Sequence, residues 1–515
     1  MREATRFAVF AFCILHFALP VSACRRSPAS DPAIITIAVR SGPTTLDPRQ
    51  GVDESSQRIS QLIFNSLVEW GDDLRVHPAL AERFENPDPL TYVAHLRRGI
   101  RFHDGHELTA RDVVYTFAAF TDPAFVSPLK GAYKVLRSVS AVDDYTVRFT
   151  LSEPFAAFLI QLVLPPIVPY GAGDRMRTSP IGTGPYRFVR YETDDRVVLE
   201  AFEQFWKGPP SNAGVVVKAI PDDTMRGLEL RKGATDLVIN DLPPDIVHQL
   251  TEDGSFRIEP SPGLDFSYIG FNMRAPILAD RRVRHAIGYA IDRDAIIRYM
   301  RRGLARPASG LLPDQAWAFE PAVHRFTHDP ERAKRLLDEA GYRDPDGDGP
   351  QPRLRLSLKI STNEETRLQS TIVQEDLRRV GIDLDLRSYE FATFFADVLK
   401  GNFQMFSLTW TGASLADPDI LRRVFHSDQI PPLGFNRGYY RNADVDRLLD
   451  RATQSHDDDE RAQSYREAQK LIAEDAPYIP IWNRTNVVVA QRSLDGLRLN
   501  AIGDFQALRD VKRVP

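Results

Sequence analysis

The sequence predicts an α/β protein of two lobes, and three patterns carry that prediction. Val215 to Ile220, Thr224 to Lys232 and Asp236 to Ile239 read as strand, helix and strand. Leu354 to Ile360, Thr366 to Val380 and Ile382 to Leu386 repeat that order far downstream. A third block, Thr91 to Phe117, is a strand, a tight turn and a capped helix. A β-α-β unit implies parallel pairing and a right-handed crossover. Two such units, set well apart, argue for two α/β lobes and therefore a cleft.

Composition narrows the function. With 515 residues, 43% hydrophobic and 26% charged, the chain can fill more than one core. Lys plus Arg number 65 against 70 acids, a net charge of −5, so no global field favours nucleic acid or an anionic membrane surface. The N-terminus reads as a targeting segment. Arg2 and Arg6 precede an apolar run, Phe7 to Leu19, too short for a permanent span. Val21-Ser22-Ala23-Cys24 looks like a lipobox, so residues 1–23 are expected to be a signal peptide, Cys24 to be diacylated and residues 24–32 to form a tether. Two acyl chains suffice for stable anchoring where one is marginal. The only other cysteine is Cys13, so the mature chain has no disulfide and no thiolate metal ligand.

The elements follow in order. Ile34 to Val39 is a buried β-branched strand ending at Ser41-Gly42-Pro43, and Gln57 to Trp70 carries a helical stripe of Ile59, Leu62, Ile63 and Leu67. Tyr92, Ala94 and Leu96 alternate, as do Ile100 and Phe102, before a turn at Asp104-Gly105. Thr109 then caps a helix with Asp112 in its first turn, and Leu108 and Val113 make a hydrophobic staple. His103, Asp104 and His106 straddle that turn, where no spacing converges them on a metal. Val139 to Leu151 is a strand pair around Asp143-Asp144, and Phe155 to Leu164 a helix closed by Pro165-Pro166. Gly182 and Gly184 mark a bend and not a phosphate cradle, since no Lys-Ser or Lys-Thr follows.

Thr224 is placed to cap its helix. Asp280 to Asp292 is amphipathic, with Val283, Ala286, Ile287, Ala290 and Ile291 on one stripe; Asp329-Pro330 starts a further helix that stops at Gly341. Asp344, Asp346, Asp348 and Gly349 imitate half a calcium loop, but Arg355 stands where its glutamate is required. Phe403 to Trp410 is a strand, and Asp444 to Ala452 and Arg461 to Glu474 are helices, with Asp457 to Asp459 a solvated helix start. The chain has no His-Glu-x-x-His, Gly-x-Ser-x-Gly or Walker-type loop, so no catalytic residue is assigned.

Several blocks also carry a resemblance. Leu96, Arg97, Gly99, Phe102, Asp104, Gly105, Thr109, Ala110, Asp112 and Val113 come first. Gly182-Thr183-Gly184-Pro185-Tyr186, Phe205 to Gly208, Gly233 with Asp236, Val283 to Arg293, and Asp475 to Trp482 follow in order. Together they resemble the extracytoplasmic solute-binding proteins of ABC importers, family 5, whose members take oligopeptides, dipeptides, nickel complexes and other solutes. The resemblance implies a two-lobed periplasmic-binding-protein fold of the large, class C type. Lobe I would comprise 33–62, 180–268 and 486–515, an extra domain 63–179, and lobe II 269–485. It further implies a monomer in the periplasm or cell envelope, without cofactor or chemistry, that hands a small solute or short peptide to a membrane permease. A sensor, or a binder of a metal chelate or saccharide, is the alternative.

By the same resemblance, Ser41, Gly42, Trp410, Thr411, Gly412, Ala413, Ser414 and Asp417 are the expected ligand-binding residues. Peptide-binding relatives commonly place an aspartate shortly after the tryptophan, where it accepts the peptide's ammonium. Here that position is Ala413 or Ser414, neither charged, while Asp417 precedes a proline and reads as a turn residue. A ligand without an obligatory free amino terminus is expected, with Trp410 as an apolar wall.

Overall fold

The computed structural model describes residues 33–347 and 349–514. The expected signal peptide, Cys24 and tether lie outside the described residues, as does Asp348 of the acidic turn. Among the described residues no helix is long and apolar enough to cross a membrane.

β1 (Ile34–Val39) leads to α1 (Glu54–Ile63) and a small hairpin, β2 (Val68–Trp70) with β3 (Val76–Pro78). β4 (Ala81–Asp88), β5 (Thr91–Leu96), α2 (Ala110–Thr121), β6 (Leu136–Asp143), β7 (Thr146–Leu151) and the short α3 (Phe158–Gln161) follow. Next come β8 (Tyr186–Glu192), β9 (Arg196–Ala201), β10 (Gly214–Ala219), α4 (Asp223–Arg231), β11 (Leu237–Ile239), α5 (Pro244–Asp253) and the long β12 (Phe256–Phe271). The second half holds α6 (Pro276–Ala279), α7 (Arg281–Ala290), α8 (Arg293–Ala295), β13 (Ala305–Pro307), α9 (Pro330–Glu339), β14 (Leu354–Ser361), α10 (Glu364–Arg378) and β15 (Ile382–Tyr389). It ends with α11 (Phe391–Lys400), β16 (Met405–Trp410), α12 (Ile420–Phe425), α13 (Ala443–Gln454), α14 (Asp458–Asp475) and β17 (Tyr478–Gln491).

One sheet runs through both lobes in the order β15-β14-β16-β12-β17-β11-β1-β10-β9-β8. In lobe I, β1 lies between β10 and β11 and is parallel to both, so the β10-α4-β11 unit straddles β1. In lobe II, β14 is parallel to β15 and to β16. The lobes are joined by β12 and β17, which pair antiparallel from Phe256 and Gln491 to Gly270 and Tyr478, with a register shift between Pro262 and Phe266. A separate antiparallel sheet, β4-β5-β7-β6, packs with α2 around Phe102, Phe117 and Phe149, all fully buried.

The run from Thr91 forms as its pattern dictates. β5 buries Tyr92, Ala94 and Leu96; Gly105 takes φ +93°; and the Thr109 N–H donates to the Asp112 carboxylate at 2.9 Å. His103 explains why this block and the Gly182–Gly184 bend belong together. Its Nε2–H donates to the Gly184 carbonyl at 3.0 Å, and its Nδ1 accepts the Gly182 N–H at 3.3 Å. Burial holds its pKa down at about 4, so the neutral ring clamps the bend.

Three of the boundaries that differ from expectation have a clear physical cause. α1 stops at Ile63, because the Ile63 carbonyl accepts the Gly184 N–H at 2.9 Å and Phe64 is extended; Leu67 instead joins the core of the separate sheet and Trp70 enters β2. α4 is capped by Asp222, whose carboxylate accepts the Met225 N–H at 2.8 Å, which leaves Thr224 inside the helix. The segment 155–164 is helical only over Phe158–Gln161, with no side-chain cap at Ala157 and Pro165 barring extension.

Gly182 and Gly184 are fixed by close approach. A Cβ on Gly182 would lie 2.1 Å from the Ile63 carbonyl oxygen, whereas one on Gly131 would meet nothing within 4 Å. Gly182→Ala is therefore expected to cost on the order of 1–3 kcal/mol as overpacking, and Gly131→Ala to leave stability unchanged, in chemical denaturation. Equal midpoints for the two variants would show that the bend yields freely.

Candidate functional site

Where the lobes and the separate sheet's domain meet, a cavity of about 300 Å³ is lined from all three. α1 supplies one wall. Asp53 caps it, accepting the Ser56 N–H at 2.9 Å, and Ile59, Leu62 and Ile63 bury in the lobe I core. Gln57, Ser60 and Gln61, three and four residues apart, then fall on a second stripe that lines the cavity. The Ser60 hydroxyl is buried and makes no hydrogen bond among the described residues. Past the helix end, the Asn65 carboxamide oxygen accepts the Trp206 indole N–H at 3.0 Å. Tyr133, whose hydroxyl donates to the Gln161 carbonyl at 2.5 Å, closes another side with Ile160 and Val163.

Lobe II supplies the opposite wall. β16 ends at Trp410, Gly412 turns the chain with φ +81°, and its N–H donates to Asp265 at 3.2 Å. The turn at 413–415 leads to α12, and Ala413, Asp417, Asp419, Ile420 and Arg423 line the cavity. Asp417 accepts the Asp419 N–H at 2.8 Å, so it does hold the turn. Protein surrounds its carboxyl on most sides, and desolvation, aided by the Asp419 charge, pushes its pKa up to about 7 against the pull of Arg461. Asp504, opposite, is also raised by burial, and it accepts Asn500 Nδ2–H at 3.1 Å and the Gln506 N–H at 3.2 Å.

Of the expected site residues, the structure brings Ala413 and Asp417 into the cavity wall. Ser41 and Gly42 sit at the carboxyl end of β1, where the Ser55 hydroxyl donates to the Ser41 carbonyl at 2.7 Å and Tyr191 covers Gly42; they are not in the lining. Trp410 turns toward lobe II, edge-on to Phe435 at 5.3 Å with the Arg437 guanidinium 4.7 Å from its ring centre; Thr411 and Gly412 are exposed beside it. Ser414 continues the turn. Sequence reasoning missed Ser60, Gln61, Tyr133, Arg423 and Asp504. The polar stripe of α1, spaced three and four residues apart, was the signal for the first two.

A two-lobed α/β body with a cavity of about 300 Å³ between its lobes has room for a small molecule. The family model for bacterial extracellular solute-binding proteins, family 5 (middle region), matches residues 75–431. Heme-binding protein A of Haemophilus influenzae is 32% identical over 453 residues, covering 82% of each chain. The dipeptide-binding protein of Escherichia coli is 28% identical over 472 residues, 86% of this chain and 87% of that one. The structure of HbpA2 from Haemophilus parasuis superposes with a TM-score of 0.83 at 27% identity, over 94% of this chain and all of that one. The chain belongs to family 5 of the bacterial extracellular solute-binding proteins, the binding components of ABC importers, and is not an enzyme.

The raised Asp417 pKa sets a pH dependence. The folded protein holds this proton more tightly than the unfolded chain, so stability falls as pH rises from the ordinary value of 3.8 to about 7. Asp417→Asn keeps the turn's acceptor and removes the titration. Its melting temperature is expected to match wild type near pH 4 and to exceed it at pH 8; superimposable pH profiles would mean the carboxyl ionises without cost.

Proposed function

We propose that the protein is a lipid-anchored extracytoplasmic binding protein that captures a peptide or peptide-like solute in the interlobe cavity and delivers it to an ABC permease. The observation that carries this reading is a cavity lined by Gln57 and Ser60 of α1 on one side and by Asp417 and Arg423 of lobe II on the other. A site divided in this way is completed when lobes close on a ligand. Ala413 in the wall supports a solute that needs no free amino terminus. The separate four-stranded sheet, with its own core, supports an inserted domain over 63–179 between the lobe I segments 33–62, 180–268 and 486–515, with lobe II at 269–485. A metal chelate, a saccharide or a sensing role would use the same cleft, and native mass spectrometry of the protein as purified would identify a retained solute.

Small-angle scattering tests capture directly. Trialanine and N-acetyl-trialanine are both expected to reduce the radius of gyration. Compaction with the free amine alone refutes the amino-terminus assignment, and an unchanged profile with both counts against peptide capture.

The anchor rests on Val21-Ser22-Ala23-Cys24. Wild type is expected to enter the detergent phase on phase partitioning and Cys24→Ser the aqueous phase; identical partitioning of the two into the aqueous phase refutes lipidation.

A further inference from the structure

We infer that lobe II holds a site for a small, weakly hydrated inorganic anion of the halide class, bound by the Arg437 guanidinium and the Trp410 indole N–H. The site is separate from solute capture, since none of Arg437, Trp410, Tyr268 and Tyr478 lines the interlobe cavity.

Three neighbouring strands and one loop build it. Trp410 ends β16 opposite Phe266, and Tyr268, two residues further along β12, shares the face of Phe266. Tyr478 of β17 stacks on Tyr268 at 4.2 Å, so the three side chains leave the sheet on one face. The loop after α12 brings Arg437 over them. Asn436, only 1% exposed, fixes that loop: its carboxamide donates to the His426 and Tyr440 carbonyls at 3.0 and 2.8 Å and accepts the Tyr440 N–H at 2.9 Å. The Arg437 guanidinium then lies 4.7 Å from the centre of the Trp410 ring, 5.2 Å from that of Phe395 and 5.4 Å from that of Phe435.

What this assembly lacks is an acceptor. Arg437 is 6% exposed, yet among the described residues it pairs with no carboxylate, and its one side-chain hydrogen bond runs to the Tyr268 hydroxyl at 3.3 Å. Its Nε–H, the Trp410 Nε1–H and the Tyr478 hydroxyl are all buried without a hydrogen-bond partner among the described residues. A buried cation without a counter-ion is costly, and so is each buried donor left unpaired. The surrounding rings relieve part of the charge by cation–π attraction, but they are poor acceptors for the N–H groups. A water molecule would accept two of these hydrogens and bring two of its own, leaving the positive charge in place. An anion removes both the charge and the donor surplus.

The walls select the class of anion. Trp410, Phe395 and Phe435 present rings that cannot replace a tightly held hydration shell, so an ion that loses water readily is favoured over fluoride, sulfate or phosphate. Phe395 and Phe435 are half-buried, which places the site near the surface, where an ion can enter.

The test uses the full chain in detergent, melted in sodium gluconate, fluoride, chloride and bromide at one ionic strength. Wild type is expected to melt a few degrees higher in chloride and bromide than in gluconate or fluoride, along a curve that saturates with halide concentration, as binding to the folded state requires. Arg437→Met should lose the halide response. Trp410→Phe, which keeps a ring and removes the N–H, should need more halide for half the effect. Circular dichroism checks that each variant is folded, and anomalous scattering from wild-type crystals in bromide gives a reading that needs no variant, with the ion expected within hydrogen-bonding distance of Arg437 and Trp410. A melting temperature indifferent to the anion, a response that never saturates, an undiminished response in Arg437→Met, or bromide found only elsewhere overturns the inference. So does a bromide response that saturating trialanine abolishes, because the charge would then belong to the captured solute.

Discussion

The fold depends on the pairing of β12 with β17. These are the two strands that serve both lobes: β17 pairs with β11 at its lobe I end, and β12 pairs with β16 in lobe II, so one antiparallel ladder continues one lobe's sheet into the other's. The ladder is weakened at one place. Pro260 and Pro262 have no N–H to donate, and the register slips between Pro262 and Phe266 across Gly263. A Cβ on Gly263 would lie 2.5 Å from the Asn486 side chain, so the bulge needs glycine to bring the strands together. The first paired residue beyond it, Phe266, is opposite Trp410, and Asp265 inside it accepts the Gly412 N–H. The bulge and the loop that carries Ala413 and Asp417 are therefore tied together through the hydrogen bond between Asp265 and the Gly412 N–H.

The cavity's chemistry follows from its position. Because it is enclosed by three parts of the chain, its charged groups lose water without gaining one another, which is why Asp417 and Asp504 both shift toward the protonated form. Those carboxyls are held as turn acceptors, tying the lining loops to fixed backbone N–H groups. The apolar lining includes Phe64, Ile160 and Val163, with Ile420 contributed by lobe II. At about 300 Å³ the space is at the lower end for small-molecule sites.

What was legible in the sequence was local. Thr91 to Phe117 carried strand alternation, a positive-φ glycine and a capping pair within one run, and all three formed. Both β-α-β units were visible because each helix is followed by a positive-φ glycine, Gly233 and Gly381, before a β-branched or alternating strand. What was not legible was set by distant partners. Nothing near Ile63 announces that its carbonyl is taken by Gly184 more than a hundred residues later, so α1 read too long. Asp222 and Thr224 are both capping residue types, and only the stronger acceptor was used. Most of the lining was hidden for a different reason: Gln57, Gln61 and Arg423 look in sequence like any solvated helix face, and pattern alone does not distinguish cleft water from bulk water.

The β2–β3 hairpin ties the rest of the chain to lobe II. Its turn residue Leu74 is 1% exposed and packs among Phe266, Tyr268 and Tyr465 of the lobe II core. Beside it, Arg75 meets Asp458 at 2.6 Å and lies over Trp317 at 4.7 Å. Burying a leucine contributes roughly 1.5–3 kcal/mol, and an ion pair this exposed about 0–1 kcal/mol, so the buried leucine, and not the ion pair beside it, carries the contact between the hairpin and lobe II.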